Sequence, residues 1–181
     1  MSKLIIIILF FIIPIKSYAE TTLRMASWLP PQHPWVLDIV VPWIEKVKVA
    51  TEGRVRIELL SAPIGPPPAH FNFAVKGIAD ITYGVHNYTT GRFSSTQIAE
   101  LPFLSNSSEV LSVAWQRIYE RELLHLDEHK GTHLLGVFTH GPGQLWFNKK
   151  YESLDNIKGL KVRIGGGIAQ NSSKALGLVP L

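Results

Sequence analysis

Two spacings of apolar residues alternate along this chain. Val55, Ile57 and Leu59 recur at every second position and predict a strand over residues 54–60, with those three side chains on one face. Residues 22–28 alternate in the same way and predict an earlier strand. Between the two, Val36, Leu37, Val40, Trp43, Ile44 and Val47 recur three or four apart, the period of a helix with one apolar stripe. Pro42 lies inside that stripe and should kink or split the helix. Gly53 suits its C-terminal cap.

The alternation continues. A proline-rich loop over 61–68 leads into a short helix over 69–76, and residues 79–85 predict a third strand. Residues 89–103 show no regular period. Asn106-Ser107-Ser108-Glu109 has the form of a capping box. Leu111, Trp115, Ile118, Tyr119, Leu123 and Leu126 then run down one helical face, and Gly131 ends that helix. Further strands are predicted over 133–138, 144–147 and 161–164, with a capped turn over 153–158 and a last helix over 167–176. Strands alternating with helices define an α/β chain with a largely parallel sheet. Ligands of such sheets sit at the carboxyl ends of the strands. That rule selects Trp28, Tyr83 and the residues after it, His140-Gly141-Pro142-Gly143, and Arg163.

The N-terminus changes the picture of compartment and charge. Lys3 precedes an apolar run over residues 4–15, and Ser17-Tyr18-Ala19 places small residues where a signal peptidase reads. Residues 1–19 are therefore expected to be a signal peptide, cut between Ala19 and Glu20, that sends the rest to a bacterial periplasm. The run is too short to span the ~30 Å of a bilayer core as an anchor. The formal charge is +4, but Lys3 and Lys16 belong to the leader, so the basic excess of the remainder is halved. No Lys/Arg run is present, which argues against nucleic acid as a partner. The chain has no cysteine, which excludes a disulfide framework and a lipid-modified cysteine.

The sharpest candidate chemistry is the run Lys161-Val162-Arg163-Ile164-Gly165-Gly166-Gly167, where an apolar strand delivers one arginine to a triple-glycine turn. A guanidinium is a planar, permanently charged fork that binds both oxygens of a carboxylate. Glycines let backbone N–H groups approach an anion, and the following helix adds partial positive charge. Arg163, Gly165 and Gly166 are thus candidate carboxylate ligands, against the plain alternative of a surface turn. Trp28, Tyr83, Tyr88 and Trp146 fall near strand ends and are candidate pocket walls, although Trp28 and Trp146 also suit a core. A rival signal is His125-Leu126-Asp127-Glu128-His129, the H-x-x-E-H pattern of a zinc-dependent hydrolase, with the polar end of an amphipathic helix as the plain alternative. No G-x-S-x-G elbow, phosphate loop or dinucleotide fingerprint is present, so no cofactor is called for.

A series of short matches then extends along the chain. They are Leu23-Arg24-Met25-Ala26-Ser27-Trp28 with His33-Pro34, Gly53-Arg54-Val55 and Val75-Lys76-Gly77-Ile78-Ala79-Asp80-Ile81. After them come Gly91-Arg92-Phe93, Glu100-Leu101-Pro102-Phe103-Leu104 and Leu154-Asp155-Asn156-Ile157-Lys158-Gly159-Leu160-Lys161-Val162-Arg163. In this order they resemble the solute-binding proteins of tripartite ATP-independent periplasmic (TRAP) transporters, of the DctP type. The resemblance implies a clamshell of two α/β lobes that closes on a small organic acid and passes it to a membrane permease, without chemistry on the ligand. It places the ligand-pairing arginine on Arg163, with Gly165 and Gly166 beside it. Residues 20–139 would form the first lobe and 140–181 the start of the second. Some members carry a second basic residue about twenty positions earlier. Here that stretch reads Gly141 to Phe147 without arginine, which favours a simple or aromatic monocarboxylate. Members also continue for roughly as long again, so a truncated clamshell is expected, the first lobe plus the start of the second, with a non-functional fragment as a further alternative.

Overall fold

The computed structural model describes residues 19–89 and 91–181, and the predicted leader falls outside the described residues except for Ala19. Three parallel strands form the first sheet: β1 (Thr21–Ala26), β2 (Val55–Leu59) and β3 (Ile81–Thr82), in the order β2-β1-β3. Thr21 pairs with Val55 and Met25 with both Leu59 and Ile81. Parallel neighbours need a crossover. The first is a widened π turn, Val36–Val40, that runs directly into α1 (Val41–Ala50). Pro42 occupies the first turn of α1, so the helix divides where the proline was expected to divide it, and the π turn adjusts the ladder to the missing N–H. The Gly53 N–H then returns to the Lys48 carbonyl at 2.8 Å, with Gly53 at φ +78°, a conformation that suits glycine.

The core lies between α1 and this sheet. Met25, Val40, Ile57 and Ile81 are buried together, and Trp43, Ile44, Val47, Val55 and Leu59 pack around them. The alternation in β2 thus faces inward as the spacing predicts, whereas Leu37 of the helical stripe is exposed. The second crossover carries α2 (His70–Val75). Asp80 fixes the start of β3 by accepting the Arg24 N–H at 2.7 Å while its own N–H donates to the Arg24 carbonyl at 2.9 Å.

Helix α3 (Ser108–Ile118) begins one residue later than a box opened by Asn106 requires. Ser107 is the cap, its hydroxyl accepting the Val110 N–H at 3.2 Å, so Glu109 does not close a reciprocal box. Trp115 and Tyr119 bury against Val137, while Ile118 and Leu126 stay exposed, so only part of the predicted stripe is used. A widened turn, Tyr119–Leu123, and a tight one, Leu124–Leu126, finish the segment, and Asp127 reverses it in a left-handed conformation at φ +54°.

Residues 133–138 are not a strand, contrary to their pattern. Their amides meet side chains of α3 instead: the Val137 N–H donates to Gln116 Oε1 at 2.7 Å and the Thr139 N–H to Ser112 Oγ at 2.9 Å. Residues 144–147 are likewise unpaired and exposed. The third predicted strand shortens to β3, and the sixth shortens to β4 (Lys161–Val162). After β4 comes α4 (Ile168–Ala175), and then β5 (Val179–Pro180), which the pattern did not announce. β5 lies parallel to β4, with the Val179 N–H on the Leu160 carbonyl at 2.8 Å and the Leu181 N–H on that of Val162 at 2.9 Å.

Candidate functional site

β1 ends at Ala26, and the residues just past it turn toward the end of β3. The hydroxyls of Ser27 and Tyr83 lie 2.6 Å apart. The Trp28 ring is tilted against Tyr83 at 4.4 Å and meets the edge of His70 at 5.3 Å. Trp28 and Tyr83 therefore stand together at the carboxyl end of the sheet, as an aromatic wall. Burial raises the Tyr83 phenol pKa, against the opposing hydrogen bond from Ser27. Burial also lowers the pKa of His70, opposed by the Gly65 backbone. This wall is neutral near pH 7.

The second part of the site is built by the chain that leaves β4. Gly165 approaches Tyr88, with its Cβ position 3.7 Å from the ring, and Gly166 approaches the Asn87 carbonyl at 3.9 Å. Gly167, at φ +55° and ψ −134°, is the tightest point. A Cβ there would stand 2.8 Å from Asn87 Cβ and 3.0 Å from Glu100 Oε2, so only glycine fits. Asn87 Nδ2 donates to Glu100 Oε2 at 2.9 Å and holds that carboxylate against the turn. The structure thus gathers Tyr88, Gly165 and Gly166 as the sequence suggested, and adds Asn87 and Glu100. Neither was named as a site residue from the sequence, because their partner is a backbone reached only through the fold. Arg163 is exposed at the end of β4 and makes no hydrogen bond or ion pair with a described residue. Its permanent charge is therefore free for an anion.

Trp146 does not join either part. It is 87 % exposed, without a ring partner among the described residues, because the segment that carries it is not held in a sheet.

The zinc reading is overturned. It needs His125 and His129 on one turn of helix, but Asp127 reverses the chain between them. His125 is exposed, while His129 is held by His86, with the two Nε2 atoms 3.1 Å apart, and by the Tyr119 hydroxyl, 2.7 Å from Nδ1. Glu128 accepts from the Ser95 N–H at 2.9 Å and the Ser94 hydroxyl at 3.2 Å. Burial alone would raise its pKa, but these donors together lower it. Among the described residues no three candidate ligands gather for a metal.

A cavity of about 710 Å³ lies between the sheet and residues 131–136, behind the Tyr83 side of the aromatic wall. Trp35, Tyr83, Val85, Phe93, His129 and Leu134 line it, while Arg163 and the glycine turn do not.

The architecture is thus two parallel sheets with an exposed arginine just past the end of β4. The family profile of the bacterial extracellular solute-binding proteins, family 7 (DctP), matches residues 25–181, and the chain belongs to that family. Its structural relatives are TRAP solute-binding proteins. One, from Bordetella bronchiseptica with bound (R)- and (S)-mandelate, is 41 % identical with a TM-score of 0.84, covering 89 % of this chain and 51 % of that one. Another, from Rhodoferax ferrireducens with copurified benzoate, is 28 % identical with a TM-score of 0.79, covering 89 % and 50 %. A curated relative, the outer membrane transporter protein TsaT of Comamonas testosteroni, is 32 % identical over 167 residues, 91 % of this chain and 49 % of that protein. The chain thus spans about half the length of the relatives it matches, and covers half of their α/β clamshell. Among the described residues no helix is long and apolar enough to cross a membrane.

Proposed function

We propose that this chain belongs to a periplasmic receptor that captures a small carboxylic acid, aromatic by preference, for a TRAP-type permease. The observation that carries the reading is Arg163, unpaired beside a glycine turn that packs on Tyr88. The guanidinium takes the carboxylate in a bidentate pair, the turn after it supplies backbone N–H groups, and the Tyr88 ring offers an apolar face to the rest of the ligand. On this reading residues 20–139 form the first lobe and 140–181 begin the second, and the glycine turn meets the first lobe at Asn87 and Tyr88, at the edge of the ligand cleft. Trp28 and Tyr83 wall the cleft on the side of the first sheet. The aromatic preference draws support from the mandelate and benzoate held by the two structural relatives, and from the lack of an arginine between residues 141 and 147. The periplasmic location draws support from the leader-like residues 1–19. Release to the permease follows when the lobes part and the pair is rehydrated.

Calorimetric titration and thermal shift against mandelate, benzoate, a dicarboxylate, a 2-oxo acid and a sugar acid test the proposal. The aromatic acids should stabilise the chain, by about 2.7 kcal/mol at a hundred times the dissociation constant. Arg163→Ala should weaken binding by about 2–5 kcal/mol, roughly thirty-fold to several thousand-fold, as for other desolvated charge pairs. Arg163→Lys should recover part of the loss. An unchanged affinity in Arg163→Ala removes that residue from the site.

A further inference from the structure

We propose that His86 and His129 are positioning residues for the glycine turn after β4: their contact seats the His86–Tyr88 turn on which Gly165 to Gly167 rest, and the seat loosens when the pair takes a proton. His86–Tyr88 is one tight turn, closed by the Thr89 N–H on the His86 carbonyl at 3.1 Å and the Tyr88 N–H on that of Val85 at 3.0 Å. Its second and third residues meet the glycines. Asn87 lies against Gly167 and holds Glu100, and Tyr88 lies against Gly165. Its first residue reaches a different neighbour. The His86 ring stacks on Phe93 at 4.5 Å, and its Nε2 lies 3.1 Å from Nε2 of His129. Three consecutive residues thus connect the glycine turn to a pair of imidazoles.

Few ties hold this turn in place. Among the described residues, side-chain hydrogen bonds join segment 86–93 to residues 128–130 at two points. One is the histidine contact, and the other is Arg92, which donates to the Glu128 and Lys130 carbonyls. Arg92 fixes the far end of the segment, so the histidines fix the end that bears Asn87 and Tyr88. A neutral imidazole has one donor and one acceptor nitrogen, so one proton lies between the two Nε2 atoms. A proton added to the accepting ring sets two N–H groups face to face. A proton added to the donating ring leaves a cation packed among Phe71, Phe93 and Tyr119. Both events favour a ring that swings out to water. The charged groups that act on the pair are Glu128, which favours a proton on either ring, and Arg92, which opposes one on His129. A charge on His129 also opposes one on His86. Burial outweighs Glu128 at both rings, so the pair is neutral above the ordinary histidine value of 6.5 and takes its proton below it. Tyr119, raised by burial and then by the charges of Glu128 and Asp127, keeps its own proton throughout. The effect on ligand affinity rests on the carboxylate site proposed above; the seat itself does not.

Two-dimensional NMR of the chain from pH 7.5 to pH 4.5 tests the seat without a ligand. The ring signals of His86 and His129 should titrate below pH 6.5. The amides of Asn87, Tyr88, Gly165, Gly166 and Gly167 should shift with the same midpoint, while those of β2 stay in place. His129→Gln keeps an amide that can donate to His86 or accept from it, so the glycine amides should hold their neutral-pH positions throughout. His129→Ala removes the contact, and those amides should stand near their acid positions already at pH 7.5. Benzoate titration gives a second readout. Between pH 7.5 and pH 4.5 the unmodified chain should lose at least about twofold more affinity than His129→Gln, whose loss carries only the ionisation of benzoate itself. Glycine amides that stay fixed while both rings titrate overturn the proposal, as does a His129→Gln chain that titrates like the unmodified one. Amides of β2 that move in step with the glycines overturn it too, because the pair would then hold the core rather than the turn. Glycine amides that follow the rings while benzoate affinity is absent or unchanged support the seat and count against the carboxylate site instead.

Discussion

The least conspicuous residues in the sequence have the most constrained surroundings. His86 stacks on Phe93 at 4.5 Å and faces His129, whose other nitrogen meets Tyr119. Burial, and then the charge of His129, pull the His86 pKa down to about 4, against the opposing charge of Glu128. Burial lowers His129 as well, with Glu128 opposing and Arg92 reinforcing the shift. Arg92 itself is anchored on the Glu128 carbonyl at 2.8 Å and the Lys130 carbonyl at 2.6 Å. In the unfolded chain His86 titrates at its ordinary 6.5, so between pH 6.5 and 4 the unfolded state binds more protons. Stability is therefore fully present above about pH 6.5 and is lost as the pH falls toward 4. The His86 share is of order 2–3 kcal/mol, most of it gone by pH 5. Denaturant melts at pH 7.5 and pH 5 should show this loss, and His86→Asn should flatten it in part, leaving the share of His129. Equal stability at the two pH values would mean that the pair is hydrated in solution. None of this was legible beforehand. His129 first stood out as a metal ligand because its spacing from His125 presumes a helix that Asp127 ends.

At the scale of elements, a local pattern is readable where its partner is local too. The Ser107 hydroxyl caps α3 by a contact three residues away, and Ser107→Ala should lower stability by about 1 kcal/mol. A chemical melt of the variant checks this, and an unchanged midpoint would mean that another group takes over the Val110 N–H. The inward face of β2 and the division of the helix at Pro42 were likewise visible in the sequence, because Ile57 and the proline act through near neighbours. Strands need a distant partner, and there the reading fails in both directions. Residues 133–138 have the right side chains and no backbone to pair with, while β5 is two residues of unremarkable pattern that pair because α4 returns them to β4. The candidate site divides along the same line. Arg163 and the glycines were legible because one short run carries the chemistry. Asn87 and Glu100 were not, because they act on Gly167 from 80 and 67 positions earlier. The strand predicted to carry Trp146 does not form, and its ring stands exposed.

At the scale of the molecule, the described chain is two sheets joined by a long exposed passage. The sheet of β1, β2 and β3 has its own core, and in the segment of β4 and β5 the residues Ile157, Ser173 and Leu178 are buried. Between them every residue from 140 to 150 is exposed, and none is in a helix or strand. The passage contains Lys149 and Lys150, with Lys150 paired to Glu152 at 3.2 Å across a fully hydrated surface. A protease needs about ten residues of yielding backbone, and local opening here breaks no described backbone hydrogen bond. Lys46 and Lys48 are also exposed, but they lie in α1, where cleavage requires unfolding against the main core. Limited trypsin digestion should therefore cut first after Lys149 or Lys150 and leave the N-terminal body intact. A ligand bridging Arg163 and the Tyr83 to Tyr88 wall should slow this cut, because it ties together the two ends of the passage. First cleavage within α1 would mean instead that the first sheet and its helix are the less stable body. Cleavage in the passage unaffected by mandelate or benzoate would mean that these acids do not connect the two sheets.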